Sequence, residues 1–106
     1  MIDFIEDPPA LKIQVSVKRF DASYIDEFRD KMNRLPARHF DPVRVDLEGV
    51  EMIDSSAVGA LLVVQKKVAG DEGRLILENA HPAVISVIEL LRLHRVFDVR
   101  GSVLKN

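Results

Sequence analysis

Asp54, Ser55 and Ser56 stand side by side between the strand-like run "VRVDL" and the nearly all-apolar stretch "AVGALLVV". A carboxylate beside two hydroxyls has three plausible uses in such a place. One oxygen can cap a helix by accepting from the free N–H groups of its first turn, and Asp and Ser are both favoured there. A hydroxyl can act as a nucleophile, as at the strand-to-helix elbow of hydrolases. The group can also be presented to a partner. A cap needs one residue, and here three small polar residues line up.

The nucleophile reading lacks its supports. "I-D-S-S-A" has no glycines flanking the serine, and His39, His81 and His94 are scattered, so no general base is tied to it by sequence. Neither G-x-x-x-x-G-K-[ST] nor G-x-G-x-x-G is present to cradle a nucleotide, and the histidines and acids show no metal-ligand spacing. No cofactor is expected.

The elements that must position these residues follow from length and pattern. A chain of 106 residues is about one domain, and residues 1–106 are read as one. The net charge of −2 with interspersed signs gives no field for nucleic acid. Without cysteine there is no disulfide scaffold, which fits a reducing compartment. The acidic start "MIDFIEDPPA" is unlike a signal peptide, and the longest apolar run falls far short of the about 20 residues of a membrane-spanning helix. A cytoplasmic location is expected.

Along the chain, "LKIQVSV" alternates as a half-buried strand with Leu11, Ile13, Val15 and Val17 inward, preceded by a weaker candidate edge strand from Ile2 to Ile5. Asp21 or Ser23 can cap a helix with an apolar stripe of Ile25, Phe28, Met32 and Leu35, ended by Pro36. "VRVDL" is a second alternating strand, and Glu48-Gly49 a turn. A second helix follows the serines, with Lys66 and Lys67 in its last turns and Gly70 just past its end. "RLILE" reads as a central strand of a sheet covered on both faces. Pro82 opens a third helix with Val84, Val87, Ile88 and Leu91 on one stripe, and "RVFDV" reads as a last strand. Such alternation predicts an α/β fold, a mixed sheet covered by helices with right-handed crossovers.

The second helix is apolar all round: Ala57, Val58, Ala60, Leu61, Leu62, Val63 and Val64 cover every direction. Either every face is buried, or part of the first turns meets a partner.

The stretch "VRVDLEGVEMIDSSAVGALL" resembles the signature of the STAS domain of bacterial anti-sigma-factor antagonists, in which an apolar strand ending in Asp-Ser-Ser-Gly-Leu-Gly leads into a helix. "VKRFDASYIDEFRDKM" is similar to the family's second strand, Asp-Ala turn and first helix, and "GRLILENAHPAVISVIELLRLHRVFDV" to its later strand, Pro-led helix and closing strand. Ala57 and Val58 replace the usual Gly and Leu, while Gly59 is retained. The resemblance implies a mixed, mostly parallel sheet of four to five strands covered by three or more helices.

It also implies a switch. The unphosphorylated antagonist binds an anti-sigma factor that is also a serine kinase of histidine-kinase-like ATP fold, and so frees the sigma factor. The kinase phosphorylates the first serine of the pair, Ser55 here with Ser56 as the alternative, and a metal-dependent serine phosphatase reverses the modification. ATP and metal then belong to those enzymes, and the antagonist is a substrate rather than an enzyme, a monomer that forms heterocomplexes. Asp21, Asp54, Ser55, Ser56, Ala57, Val58 and Gly59 form the implied contact patch, with capping of the first helix as the other reading of Asp21. Two rival functions are a STAS subunit of a transporter or stressosome-like assembly whose serines need no phosphate, and a module holding a nucleotide or lipid.

Overall fold

The computed structural model describes residues 1–70 and 73–102. Strand β1 (Ile2–Asp7) turns back into β2 (Ala10–Val15), and the short β3 (Arg19–Phe20) leads to α1 (Ile25–Asn33). Then come β4 (Val43–Asp46), the short β5 (Met52–Ile53), α2 (Ser55–Val64), β6 (Leu75–Ala80), α3 (Pro82–Leu90) and β7 (Asp98–Gly101). The main sheet has the order β1-β2-β4-β6-β7, with only β1 antiparallel to its neighbour. The anticipated edge strand is β1, and the mixed, mostly parallel sheet of five strands is the α/β architecture expected from the sequence.

Register explains the core. Leu11, Val43 and Leu75 lie abreast, as do Ile13, Val45 and Leu77, and all six are buried. The alternate positions put Lys12, Arg44, Ile76 and Asp98 abreast on the opposite face, with Gln14, Asp46 and Glu78 in the next row. That face carries the Arg44–Glu78 ion pair at 2.9 Å and is polar. The expectation of a sheet covered on both faces is therefore corrected. The chain advances across the sheet in one direction from β2 to β4, β6 and β7, so right-handed crossovers put every intervening helix on the same side. "RLILE" is continuously apolar for another reason: Ile76 is buried outside the main core cluster, between Arg44 and Asp98 on the adjoining strands, where the aliphatic stem of Arg44 can shield it.

The helices depart from their sequence pattern at their ends. Asp21 caps the short turn Ala22–Tyr24 and not α1, which starts one turn later and stops at Asn33, before Pro36. Phe28 of α1 is fully buried, its ring 5.3 Å from that of Phe4 and 5.6 Å from that of Phe20, so α1 is clamped against both β1 and β3. Helix α2 passes into a π-helical turn, Gln65–Ala69, where the Gln65 side chain donates to the Gly73 carbonyl and accepts from the Leu75 amide, each at 2.5 Å. That widened turn joins the helix to the start of β6. Gly70 then adopts φ 79°, which favours glycine, and a Cβ there would lie 2.8 Å from the ring of the exposed His39, which would have to move aside. In α3, Val84 and Ile88 are buried and Val87 partly so, but Leu91 lies beyond the helix end and is 46% exposed, because Arg92 turns the chain away with φ 58°.

The two-residue strands β3 and β5 are too short to show a period in the sequence, β3 being suggested only by the resemblance of "VKRF" to a family strand, yet they position the serines. They pair in parallel as a separate small sheet, and the Glu51 and Met52 amides donate to the Lys18 carbonyl, at 2.8 and 3.1 Å. The segment entering α2 is thereby tied to the segment leaving β2.

Candidate functional site

Asp54 carries the local geometry. Its amide donates to the Phe20 carbonyl at 3.3 Å, which continues the β3–β5 pairing up to the helix. One carboxylate oxygen accepts from the Ala57 amide at 2.9 Å, and the other accepts from the Ala22 amide at 3.1 Å. Asp54 is therefore the cap of α2 and also a bridge to the turn that precedes α1. Of the three candidates for the cap, the acid takes the role and the serines do not. Ser55 and Ser56 are the first two helical residues, both exposed, and neither hydroxyl makes a hydrogen bond among the described residues. Their amides likewise find no acceptor there, while that of Val58 reaches the Asp54 carbonyl at 3.0 Å.

The other residues of the implied patch divide by burial. Ala57 and Val58 are buried in the core and cannot touch a partner directly; they hold the first turn down. Gly59 is partly exposed, and a Cβ placed on it would meet nothing within 4 Å. It opens onto a groove of about 450 Å³ between α1 and α2. Ser55, Ser56, Ala60 and Val63 line one wall of this groove, and Ile25, Asp26, Arg29 and Met32 line the other. The all-apolar character of α2 thus has a divided cause. Leu61 and Val64 point into the core, whereas Val63 is 37% exposed in the groove.

Asp21 caps the same N-terminal end of the Ala22 turn whose first amide Asp54 accepts from. Its carboxylate accepts from the Ser23 hydroxyl at 2.5 Å and the Ser23 amide at 3.0 Å, and these bonds hold its carboxyl below the ordinary aspartate value. It is ionised at neutral pH and committed to its own turn. Its neighbourhood to Asp54 comes through the Asp54–Ala22 bond, which brings the two acidic loops together.

Two contributors were not anticipated. The α1 wall of the groove, with Asp26 and Arg29, follows from α1 and α2 packing side by side, which no short motif encodes. Asp46, at the end of the central strand β4, is buried, and one of its oxygens accepts from the Glu48 amide at 3.0 Å and from the Asn79 side chain at 3.1 Å. It fixes the turn that leads from β4 into β5 and so to Asp54. His81 joins the same turn through its Nε2, 2.5 Å from the Glu48 carbonyl, and is thereby occupied in holding a loop rather than placed beside a serine.

These bonds separate the roles of the acid and the second serine. Asp54→Ala is expected to lose about 0.5–2 kcal/mol for the cap alone, with the Ala22 bond lost besides. Ser56→Ala should stay within about 0.5 kcal/mol of wild type. Urea denaturation of the two variants checks this order, and a larger loss for Ser56→Ala would return the cap to the serine.

Comparison with known proteins agrees with this architecture. The family model described as "Mlab, STAS domain" matches residues 7–103. A STAS-domain containing protein of Pseudomonas aeruginosa is 30% identical over 96 residues, covering 88% of this chain and 90% of the relative. Among solved structures, a candidate anti-sigma factor antagonist from Thermotoga maritima superposes with a TM-score of 0.75 at 15% identity, over 96% of this chain and 87% of its own. The anti-sigma factor antagonist SpoIIAA in its unphosphorylated form gives a TM-score of 0.61 at 19% identity, over 85% of this chain and 83% of its own. With the family model matched across almost the whole chain and the five-stranded sheet, α2 and its Asp-Ser-Ser start in place, the chain belongs to the STAS domain family.

Proposed function

We propose that this protein is an anti-sigma-factor antagonist of a partner-switching pathway, in which the unphosphorylated form binds an anti-sigma factor with serine kinase activity and phosphorylation of Ser55 ends that binding. The observation that carries this reading is the division of labour at the start of α2. Asp54 takes the capping bonds, so the Ser55 hydroxyl is left exposed on the rim of a groove and free of any structural task. A phosphate there adds about −1.5 to −2 charges without removing a bond that the fold needs, and the unpaired amides and positive end of α2 tolerate an anion. The surface changes while the fold stays.

In this reading the groove between α1 and α2 receives an element of the kinase, with Ser55, Ser56, Gly59 and Val63 on the α2 side and the acidic turn of Asp21 at its border. ATP and metal are held by the kinase and by the phosphatase that resets the switch, and this chain supplies neither catalytic group nor cofactor site. Incubation with ATP and the kinase encoded nearest to it, followed by phosphosite mapping, tests the assignment: one phosphate per chain on Ser55, absent from Ser55→Ala, is expected. Phosphate on Ser56 alone would move the acceptor, and none on either serine would favour a constitutive STAS interaction subunit.

The groove makes a separate demand on Gly59. Open space surrounds its missing Cβ, so Gly59→Asp is accommodated by the fold but places a charge in the groove. It should melt cooperatively, within about 1 kcal/mol of wild type, the helix propensity of Asp being no worse than that of Gly. Loss of the kinase complex is expected in a pull-down, and retained binding would place the interface elsewhere.

A further inference from the structure

Arg29 stands out among the cations of α1. Arg34 pairs with Asp30 at 2.7 Å, and Lys31 pairs with Glu27 at 3.2 Å, each one helical turn away. Arg29 has no ion-pair partner among the described residues, is exposed, and lines the groove opposite Ser55 and Ser56. The two helices begin at the same end of the sheet, since the Ala22 turn that precedes α1 is bonded to the cap of α2. Helical side chains lean toward the N-terminus of their own helix, so Arg29 leans toward the end of the groove that Ala22, Ser55 and Ser56 line. Gly59 lines the same groove without a side chain, and a Cβ on it would meet nothing within 4 Å.

We propose that Arg29 is the internal receptor of the Ser55 phosphate, an inference that rests on Ser55 as the phosphoacceptor. A guanidinium can meet two phosphate oxygens at once, and it is the favoured side chain for that geometry. Pairing across the groove closes it with a phosphate and an arginine, so phosphorylation acts by filling the docking groove as well as by adding charge. Asp26 on α1, Asp54 at the cap and Asp21 at the border of the groove are the acids nearest the same region, and they oppose the phosphate; Arg29 is the groove-lining cation that offsets them.

The test installs phosphoserine at position 55 during translation, so that no kinase is needed, and follows the phosphate by ³¹P NMR as pH varies. The second ionisation, near pH 6 for a free phosphoserine, should fall at least about 0.5 pH unit lower in the Arg29-containing protein than in Arg29→Gln. Arg29→Lys should keep part of that difference, because it keeps the charge and loses the fork. Coincident titration curves for wild type and Arg29→Gln would overturn the proposal, including the case in which both are lowered equally by the helix terminus. That result would leave the assignment of Ser55 as acceptor intact, whereas failure of phosphosite mapping with the kinase would strike the acceptor reading and not the titration.

Discussion

Ser55→Asp is expected to melt like the wild type and to bind the kinase about thirtyfold to a few thousandfold more weakly. Both halves follow from the geometry at the start of α2. The side chain is exposed, and the capping bonds belong to Asp54, so the substitution removes no hydrogen bond from the folded chain. A carboxylate in the first turn of a helix is tolerated or mildly favourable. In the proposed complex the same carboxylate is covered beside the Asp54 carboxylate, and the kinase element that fills the groove separates it from Arg29. An unpaired charge buried at an interface costs about 2–5 kcal/mol, which gives the stated range in affinity. Ser55→Ala should bind as tightly as the wild type and stay bound in the presence of ATP, because it cannot accept phosphate. Calorimetric titration of both variants against the kinase, with thermal melts beside it, checks the pair; wild-type affinity for Ser55→Asp would make the constitutive interaction module the better account.

Leu61→Ala is expected to be the more damaging change to the fold, at about 2–5 kcal/mol out of the roughly 5–15 kcal/mol typical of a domain. Leu61 is fully buried in the middle of α2, on the side of the helix away from the groove, within the same cluster as Val45, Leu77 and Val84. Its truncation leaves a cavity under the helix that carries the site, and the surrounding strands are too regularly paired to collapse into it. The melting temperature should drop by several degrees or more. Binding by the fraction that remains folded should survive, because the groove wall of Ser55, Ser56, Gly59 and Val63 is on the other side. An unchanged denaturation midpoint would contradict the burial of α2.

The contrast between these two residues shows what the sequence could convey. The alternation in "LKIQVSV" and "VRVDL" specified strands whose inward residues, Leu11, Ile13, Val43 and Val45, form the floor of the core, because a period of two has one structural meaning. The Asp-Ser-Ser cluster also announced a helix start. Which of the three would cap it was not legible, since Asp and Ser have nearly equal capping preference and the choice depends on a second acceptor bond to Ala22, 32 residues away in the chain. The open sheet face was misread from "RLILE" because a strand apolar at every position looks alike whether a helix or the stems of flanking charged residues exclude water. Strands β3 and β5, two residues each, are too short for any period to show. The α1 side of the groove depends on how two helices pack, and only Gly59, a glycine inside an apolar helix, hinted that something approaches there.

One calorimetric comparison decides whether phosphate on Ser55 switches partner binding: the affinity of the kinase for the protein with serine at position 55 against its affinity for the protein carrying phosphoserine there. A dianion covered in the same groove must be desolvated at least as severely as a carboxylate, so a weakening of about thirtyfold or more is expected, with both forms giving the same folded spectrum. Equal affinities for the two forms would contradict the switch.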